Sequence, residues 1–189
     1  MADITGVLLA AGVSKRFGGH KLLAELNGQP LIAHSARSLS PCDRVIAVVR
    51  GDDNELHQFL RSAGIGMVIN VEAEQGMGSS IATAVRASAD SNGWCILPAD
   101  MPDIPATVTR AIIEALHIGA HIAAPFYRRR RGHPVGFCKL FKDELLALTG
   151  DTGARTILDA NPDQLIPLEV EGAGILRDID TPRDYNRMV

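Results

Sequence analysis

A loop of small residues and cations carries the first chemistry legible in the chain: Leu9-Ala10-Ala11-Gly12-Val13-Ser14-Lys15-Arg16-Phe17-Gly18-Gly19-His20-Lys21. Ala10, Ala11 and Gly12 let backbone N–H groups come close to a ligand. Ser14, Arg16 and Lys21 add donors and positive charge, which a triphosphate needs. The loop is not a Walker motif, because no glycine and lysine follow Gly12 at the required spacing. It is not G-x-G-x-x-G either, because Ser14 stands where the second glycine belongs. A solvated basic loop would use the same residue types. Three glycines and three cations crowded into one loop favour phosphate binding, with Lys21 expected in its exposed part.

Carboxylates supply the opposite charge. Asp100 lies between Ala99 and Met101, and the flanking Pro98 and Pro102 restrict the backbone. Magnesium takes hard oxygen ligands, usually one or two carboxylates plus substrate phosphates. Asp100 suits such a bridge, the plainer alternative being a turn or helix-cap aspartate. Asp178 and Asp180 stand two apart at the end of an expected strand, so both can point to one face. One of them could be a second metal ligand. The alternative is that they end the strand while Asp180 or Thr181 caps a final helix at Pro182.

Three further clusters have polar chemistry. Gly76-Met77-Gly78-Ser79-Ser80 reads as a helix opening whose bare N–H groups can meet a base or ribose, or as an ordinary glycine turn with a serine cap. Arg128 to Arg131 precede Gly132-His133-Pro134. Such a run is a solvated hairpin tip or an attractor for an anionic acceptor at Arg131 and His133. Asp151-Thr152-Gly153-Ala154-Arg155 offers a helix N-terminus with a guanidinium, although capping explains it nearly as well. His34, His57, His117 and His121 read as structural or surface residues.

The elements that must position these groups alternate. Gly6–Ala10, Arg44–Val49, Gly66–Val71, Trp94–Leu97 and Ala120–Ala124 read as strands. Leu31–Leu39, Asn54–Ala63, Ser79–Ala89 (capped by Ser79 or Ser80) and Pro105–Leu116 read as helices. This alternation predicts a mostly parallel sheet with helices on both faces, which binds ligands at the carboxyl ends of its strands. After residue 125 a hairpin over Phe126–Phe137, two short helices, strands near Leu165–Val170 and Ile175–Ile179 and a terminal helix are expected. The 189 residues fit one domain, 1–189, with 46% hydrophobic and 22% charged residues.

Composition also narrows the function classes. A net charge of -3 gives no footprint for nucleic acid. No apolar run approaches the roughly 20 residues needed to span a membrane. Met1-Ala2-Asp3-Ile4 lacks a basic n-region. Cys42, Cys95 and Cys138 are odd in number and far apart, which suits a reduced cytoplasmic protein without a disulfide framework.

The pattern Leu9-Ala10-Ala11-Gly12-x-Ser14-x-Arg16-Phe17-Gly18-x-x-Lys21 resembles the signature of the MobA-like nucleotidyltransferases, and within them the molybdenum cofactor cytidylyltransferases. The likeness continues through Gln75–Ser80, Pro98–Pro102, Arg131–Pro134, Gly150–Arg155 and Asp178–Pro182, in family order across nearly the whole chain. The resemblance implies a Rossmann-like three-layer α/β/α nucleotidyltransferase fold. It implies Mg²⁺-dependent transfer from CTP, or another nucleoside triphosphate, to a molybdopterin-type acceptor with release of pyrophosphate.

On this reading Arg16, Lys21 and Asp100 are catalytic. Leu9, Ala10, Ala11, Gly12, Ser14, Arg16, Lys21 and Asp100 bind the nucleotide, with Gln75, Gly78 and Ser79 as base contacts. Arg131 and His133 bind the acceptor, and Asp100 and Asp180 hold the metal. The guanylyltransferase relatives have a second glycine where Ala11 stands, so the Ala11 methyl of this chain favours the smaller pyrimidine. A molybdoenzyme is the expected client. Guanylyl transfer, transfer to a sugar phosphate and a non-catalytic cofactor chaperone are the competing readings.

Overall fold

In the computed structural model, which describes residues 3–14 and 16–188, the first strand β1 (Ile4–Leu9) is buried along almost its whole length. Lys15, Met1 and Ala2, which the sequence reading included, lie outside the described residues. A strand apolar on both faces belongs in the interior of a parallel sheet, and β1 pairs in parallel on each side. A two-residue hairpin follows, β2 (Glu25–Leu26) with β3 (Gln29–Pro30). Then come α1 (Leu31–Ser38), β4 (Arg44–Val49), α2 (Asn54–Ser62), β5 (Gly66–Ile69), α3 (Met77–Ala87), β6 (Gly93–Pro98) and α4 (Ala106–His117). β7 (Ile122–Tyr127), β8 (Arg130–Arg131) and β9 (Val135–Cys138) follow one another without a helix. α5 (Lys142–Leu146), α6 (Arg155–Ala160), β10 (Leu165–Glu169) and α7 (Pro182–Asn186) complete the order.

The main sheet runs β10-β7-β9-β6-β1-β4-β5, with β8 on the side of β7. Along that path every pair is parallel except the two that β9 makes, with β6 and β7. The parallel strands therefore bring their carboxyl ends to one edge. Each face of the sheet carries its own core. Ile4 and Leu8 of β1 pack with Ile32 of α1, Leu60 of α2 and Ile112 of α4. Val7 points the other way, to Ile81 and Val85 of α3, Leu145 of α5 and Ile157 of α6. This is the three-layer arrangement that the alternation of strands and helices predicts.

Three local expectations change. α3 starts at Met77 rather than Ser79, and its N-cap is Gly76 with no side-chain cap. The Ser79 hydroxyl donates within the preceding loop, and the helix begins two residues earlier, nearer the sheet edge. No strand forms over Ile175–Ile179. Ala173–Leu176 is a short 3-10 turn, and residues 177–181 run on without a ladder partner. Asp178 and Asp180 therefore do not end a strand. Thr181 caps α7 and forms a capping box with Asp184. Among the described residues no helix is long and apolar enough to cross a membrane.

Candidate active site

The end of β1 and the end of β6 are neighbours in the sheet, with Leu9 opposite Pro98. The loop after β1 and Asp100 therefore share one crevice. The Ala10 N–H donates to the Val48 carbonyl and the Ala99 N–H to the Leu9 carbonyl, so both strand exits are fixed. A cavity of about 400 Å³ opens here, and its walls include Leu9, Ala10, Gly12, Ser14, Arg16, Lys21, Asp100 and Asp180. These expected residues come from three separate stretches of the chain, the loop after β1, Asp100 and Asp180.

Lys21 is the centre of this cavity's charge. The sequence placed it in an exposed loop. In the structure it begins a 3-10 turn, Lys21–Leu23, and is only 8% exposed. Its Nζ donates to Asp100 Oδ2 at 2.8 Å and to Asp180 Oδ1 at 3.3 Å. Burial follows from pairing, because an unpaired ammonium would not leave water. Arg16 Nη2 lies 3.0 Å from Asp180 Oδ2, with its own side chain still 75% exposed. The Ile179 N–H donates to the Asp100 carbonyl, which ties the two carboxylate segments together through the backbone. Asp178 is not among the cavity walls. Desolvation pushes its carboxyl above the ordinary range, and the charges of Asp180 and Asp100 add to this.

Asp100 and Asp180 thus converge on one cationic atom. That point suits a divalent ion held by two carboxylates and completed by phosphate oxygens. Among the described residues no group of three His, Cys, Asp or Glu forms a metal cluster, so a metal here would depend on the bound phosphates for its remaining ligands.

The C-terminal segment closes over the loop. Phe17 meets Tyr185 of α7 edge to face at 5.9 Å, and the Tyr185 hydroxyl donates to the Glu25 carbonyl. Sequence reading gave no role to either contact, since a lone aromatic pair far apart in the chain has no local signature.

A second cavity of about 910 Å³ adjoins the first through Leu9, Gly12 and Asp100. Ala11, Gly76 and Ser80 line it, and Ala11 is only 6% exposed. Gly76 has φ +99, and a Cβ there would fall 2.2 Å from Asp151 Oδ1, so only glycine fits between the two loops. The expected base contacts Gln75, Gly78 and Ser79 are not among the walls. Gly78 is buried with its N–H on the Gly150 carbonyl, and the Ser79 hydroxyl donates within the loop to the Glu72 and Gly76 carbonyls. Ser80, one position on, faces the cavity instead.

Arg131 and His133 meet at a third, smaller cavity of about 120 Å³, together with Thr152 and Arg155. Burial pulls the His133 imidazole down to about 4, and the Arg131 charge pulls the same way; the Ile96 backbone and Asp100 oppose it. The ring is therefore neutral at physiological pH. Its Nδ1 is buried without a hydrogen-bond partner.

Comparison with known proteins bears on this crevice directly. The MobA-like NTP transferase domain matches residues 6–165. The molybdenum cofactor cytidylyltransferase of Escherichia coli is 29% identical over 98% of this chain and 95% of its own. Nicotine blue oxidoreductase of Paenarthrobacter nicotinovorans is 28% identical over 98% of this chain and 96% of its own. Among solved structures, an Rv0371c homologue from Mycobacterium sp. strain JC1 superposes with a TM-score of 0.86 at 28% identity, covering 98% of this chain and 94% of that one. Relatives of near-equal identity thus carry different activities, and the residues of the site must decide the chemistry.

Proposed function

Because the chain belongs to the MobA-like NTP transferase family, we propose that it transfers the cytidylyl group of CTP to a molybdopterin-type acceptor with Mg²⁺ and releases pyrophosphate. The observation that carries this reading is the meeting of Lys21 with Asp100 and Asp180 beside Arg16 and the Gly12 loop. Opposed charges are already gathered where a triphosphate and a divalent ion would sit.

The acceptor phosphate oxygen attacks the α-phosphorus, the bond to the β-phosphate oxygen breaks, and pyrophosphate leaves with that electron pair. The nucleophile is already an anion, so no general base is needed. Asp100 and Asp180 would hold Mg²⁺, whose chemistry is to neutralise and orient the phosphates. Lys21 and Arg16 would turn from the carboxylates to phosphate oxygens, where they stabilise charge on the leaving group. The backbone around Gly12 would hold the chain of phosphates in line with the attacking oxygen. The neutral His133 and Arg131 would face the acceptor side, and a molybdoenzyme would be the client of the product.

Ala11 supports CTP over GTP. It is packed against the core under the large cavity, so its methyl cannot swing aside to admit a larger base. The test is kcat/KM for CTP, GTP, UTP and ATP, read as pyrophosphate release with a molybdopterin-type acceptor. CTP should lead, and Ala11→Gly should bring GTP up about tenfold relative to CTP, the scale of one methyl in a pocket. A lead by GTP would replace the cytidylyl assignment with a guanylyl one. Absence of metal-dependent pyrophosphate release with any triphosphate would leave the cofactor chaperone.

A further inference from the structure

β7 and β8 are joined by two residues alone, since Tyr127 already pairs with Arg130. The two are Arg128 at φ 49 and Arg129 at φ 65. A two-residue turn with both φ angles positive ordinarily takes Asn-Gly or Gly-Gly, because a larger side chain strains the left-handed backbone. The β2–β3 hairpin shows that ordinary solution, with Asn27 at φ 50 and Gly28 at φ 78 between Leu26 and Gln29. The chain thus builds the same kind of turn twice, once from the favoured pair and once from two arginines.

The fold supplies little to offset that strain. Arg128 stacks over the Tyr127 ring at 5.1 Å. Arg128, Arg129 and Arg130 are exposed, and among the described residues no carboxylate pairs with any of them. β7 runs parallel to β6, because β9 is antiparallel to both. The tip therefore projects from the sheet edge where the cavities open, and Arg131 lines the third of them. Arg130 lies opposite Tyr127 and Arg131 opposite Phe126. Alternation along the strand puts these two guanidiniums on opposite faces of the hairpin. Four cations at one tip form a strong local field on a chain of net charge -3. Its flank carries the other sign, for Glu169 of β10 is exposed and stands opposite Phe126.

We propose that the Arg128–Arg131 hairpin is a docking surface for the acidic face of a protein partner. One small anion cannot reach guanidiniums on both faces of the hairpin, whereas a protein surface can. A continuous polyanion would run on into Glu169, whereas a protein surface can be patterned to avoid it. The strained arginines fit this use, because a local cost persists where function requires the residue. Exposed ion pairs are individually weak, so such a surface speeds encounter and sets orientation more than it adds affinity. Docking here would set the partner beside the cavity of Arg131 and His133. That last point alone rests on the acceptor reading of the cavity.

The test is fluorescence anisotropy of a labelled peptide of alternating Glu and Gly, titrated with the full chain at low salt. A labelled single-stranded oligonucleotide and phosphatidylserine vesicles are run beside it. The peptide should bind, and added salt should weaken it. Arg128→Asn with Arg129→Gly should weaken it about tenfold, the scale of two exposed ion pairs. The same double variant should raise Tm by roughly 2–4 °C, since its residues suit the positive φ angles. Arg128→Lys with Arg129→Lys keeps the charge and should bind the peptide within about threefold of wild type. With a free molybdopterin-type acceptor, the Arg128→Asn/Arg129→Gly variant should keep kcat/KM within about twofold, as a change outside the cavity does. Unchanged peptide affinity or a lower Tm in that variant would overturn the proposal. So would tighter binding of the oligonucleotide or the vesicles than of the peptide, or a fall in acceptor kcat/KM as large as the loss of peptide binding. Nucleotidyl transfer by the wild type is measured separately, so failure of the enzymatic reading would leave the peptide titration to decide the docking surface.

Discussion

Lys21 reaches Asp100 across 79 positions of sequence and Asp180 across 159, whereas Asn70 reaches Ser79 and Ser80 across nine and ten. The two clusters lie beside adjoining cavities, and they are satisfied in different ways. At the phosphate end the charged groups satisfy one another, in the space a triphosphate and its metal would enter. Binding there must exchange partners. At the other end Asn70, Ser79 and Ser80 are satisfied by the loop and helix that carry them. Binding there needs no rearrangement. The comparison separates an end that reorganises from an end that is set in advance, and only the second costs nothing at the moment of reaction.

The largest effect should come from taking a charge out of the exchanging end. Asp100→Asn should keep the fold and lower pyrophosphate release about 10²-fold or more at saturating Mg²⁺ and CTP, as loss of a key electrostatic group does. Turnover within about threefold of wild type would show that Asp100 does not anchor the metal.

Lys21→Met tests the exchange itself. Without the ammonium, Asp100 and Asp180 face each other with no cation between them. The carboxylates keep some contact with solvent, so the loss should be about 1–2 kcal/mol rather than that of a fully buried pair. For a chain of this size that is a fall in Tm of roughly 2–8 °C. Added Mg²⁺ without nucleotide should recover part of the loss in the variant and do less for the wild type, whose Lys21 already fills the place. Thermal unfolding with and without MgCl₂ reads both. An unchanged Tm would mean that the buried ion pairs contribute no stability and that the two ends differ less than their geometry indicates.

Thr181→Ala is the mildest probe, because it loosens the element beyond Asp180 without touching charge. Loss of the capping box should cost about 1 kcal/mol, seen as a Tm lower by roughly 2–4 °C, with turnover within about twofold. A loss of turnover approaching that of Asp100→Asn would show that the start of α7 holds Asp180 in register. The phosphate end would then be far less free to rearrange than the comparison holds.

These differences also mark what could be read in the chain before its structure. β4 is the run Arg44–Val49 as expected, and the first three large helices fall within a few residues of their places, because burial writes apolar runs and turns locally. The place of Asp100 in the crevice was legible because it follows a strand at the carboxyl edge of the sheet, beside the loop after β1. The burial of Lys21 was not legible, since it depends on two carboxylates from distant segments. Residues 175–179 are apolar enough for a strand, but they lie against the end of the sheet as a turn, with Ile175 filling a core position and its carbonyl accepting the His133 N–H. Asn70 belongs to no motif. Its amide ties Ser79 and Ser80 to the Glu72 N–H, a set of contacts that residue type alone does not reveal. The same holds for Ser80, which differs from Ser79 only by the 100° that separates neighbours on a helix.

The place of β9 bears on how the chain can be made. It lies between β6 and β7 although it is synthesised after both. β1, β4, β5 and β6 can join as soon as residue 98 has emerged. β7 then has only the two residues of β8 to pair with until residues 135–138 follow and bridge it to β6. During that interval β6 presents an open edge, the kind of surface that invites pairing with another nascent chain. Expression of the chain cut before residue 135 should therefore yield aggregate rather than half an enzyme. The Asp180 side of the crevice, the most C-terminal of its walls, would be the last to take shape on the ribosome.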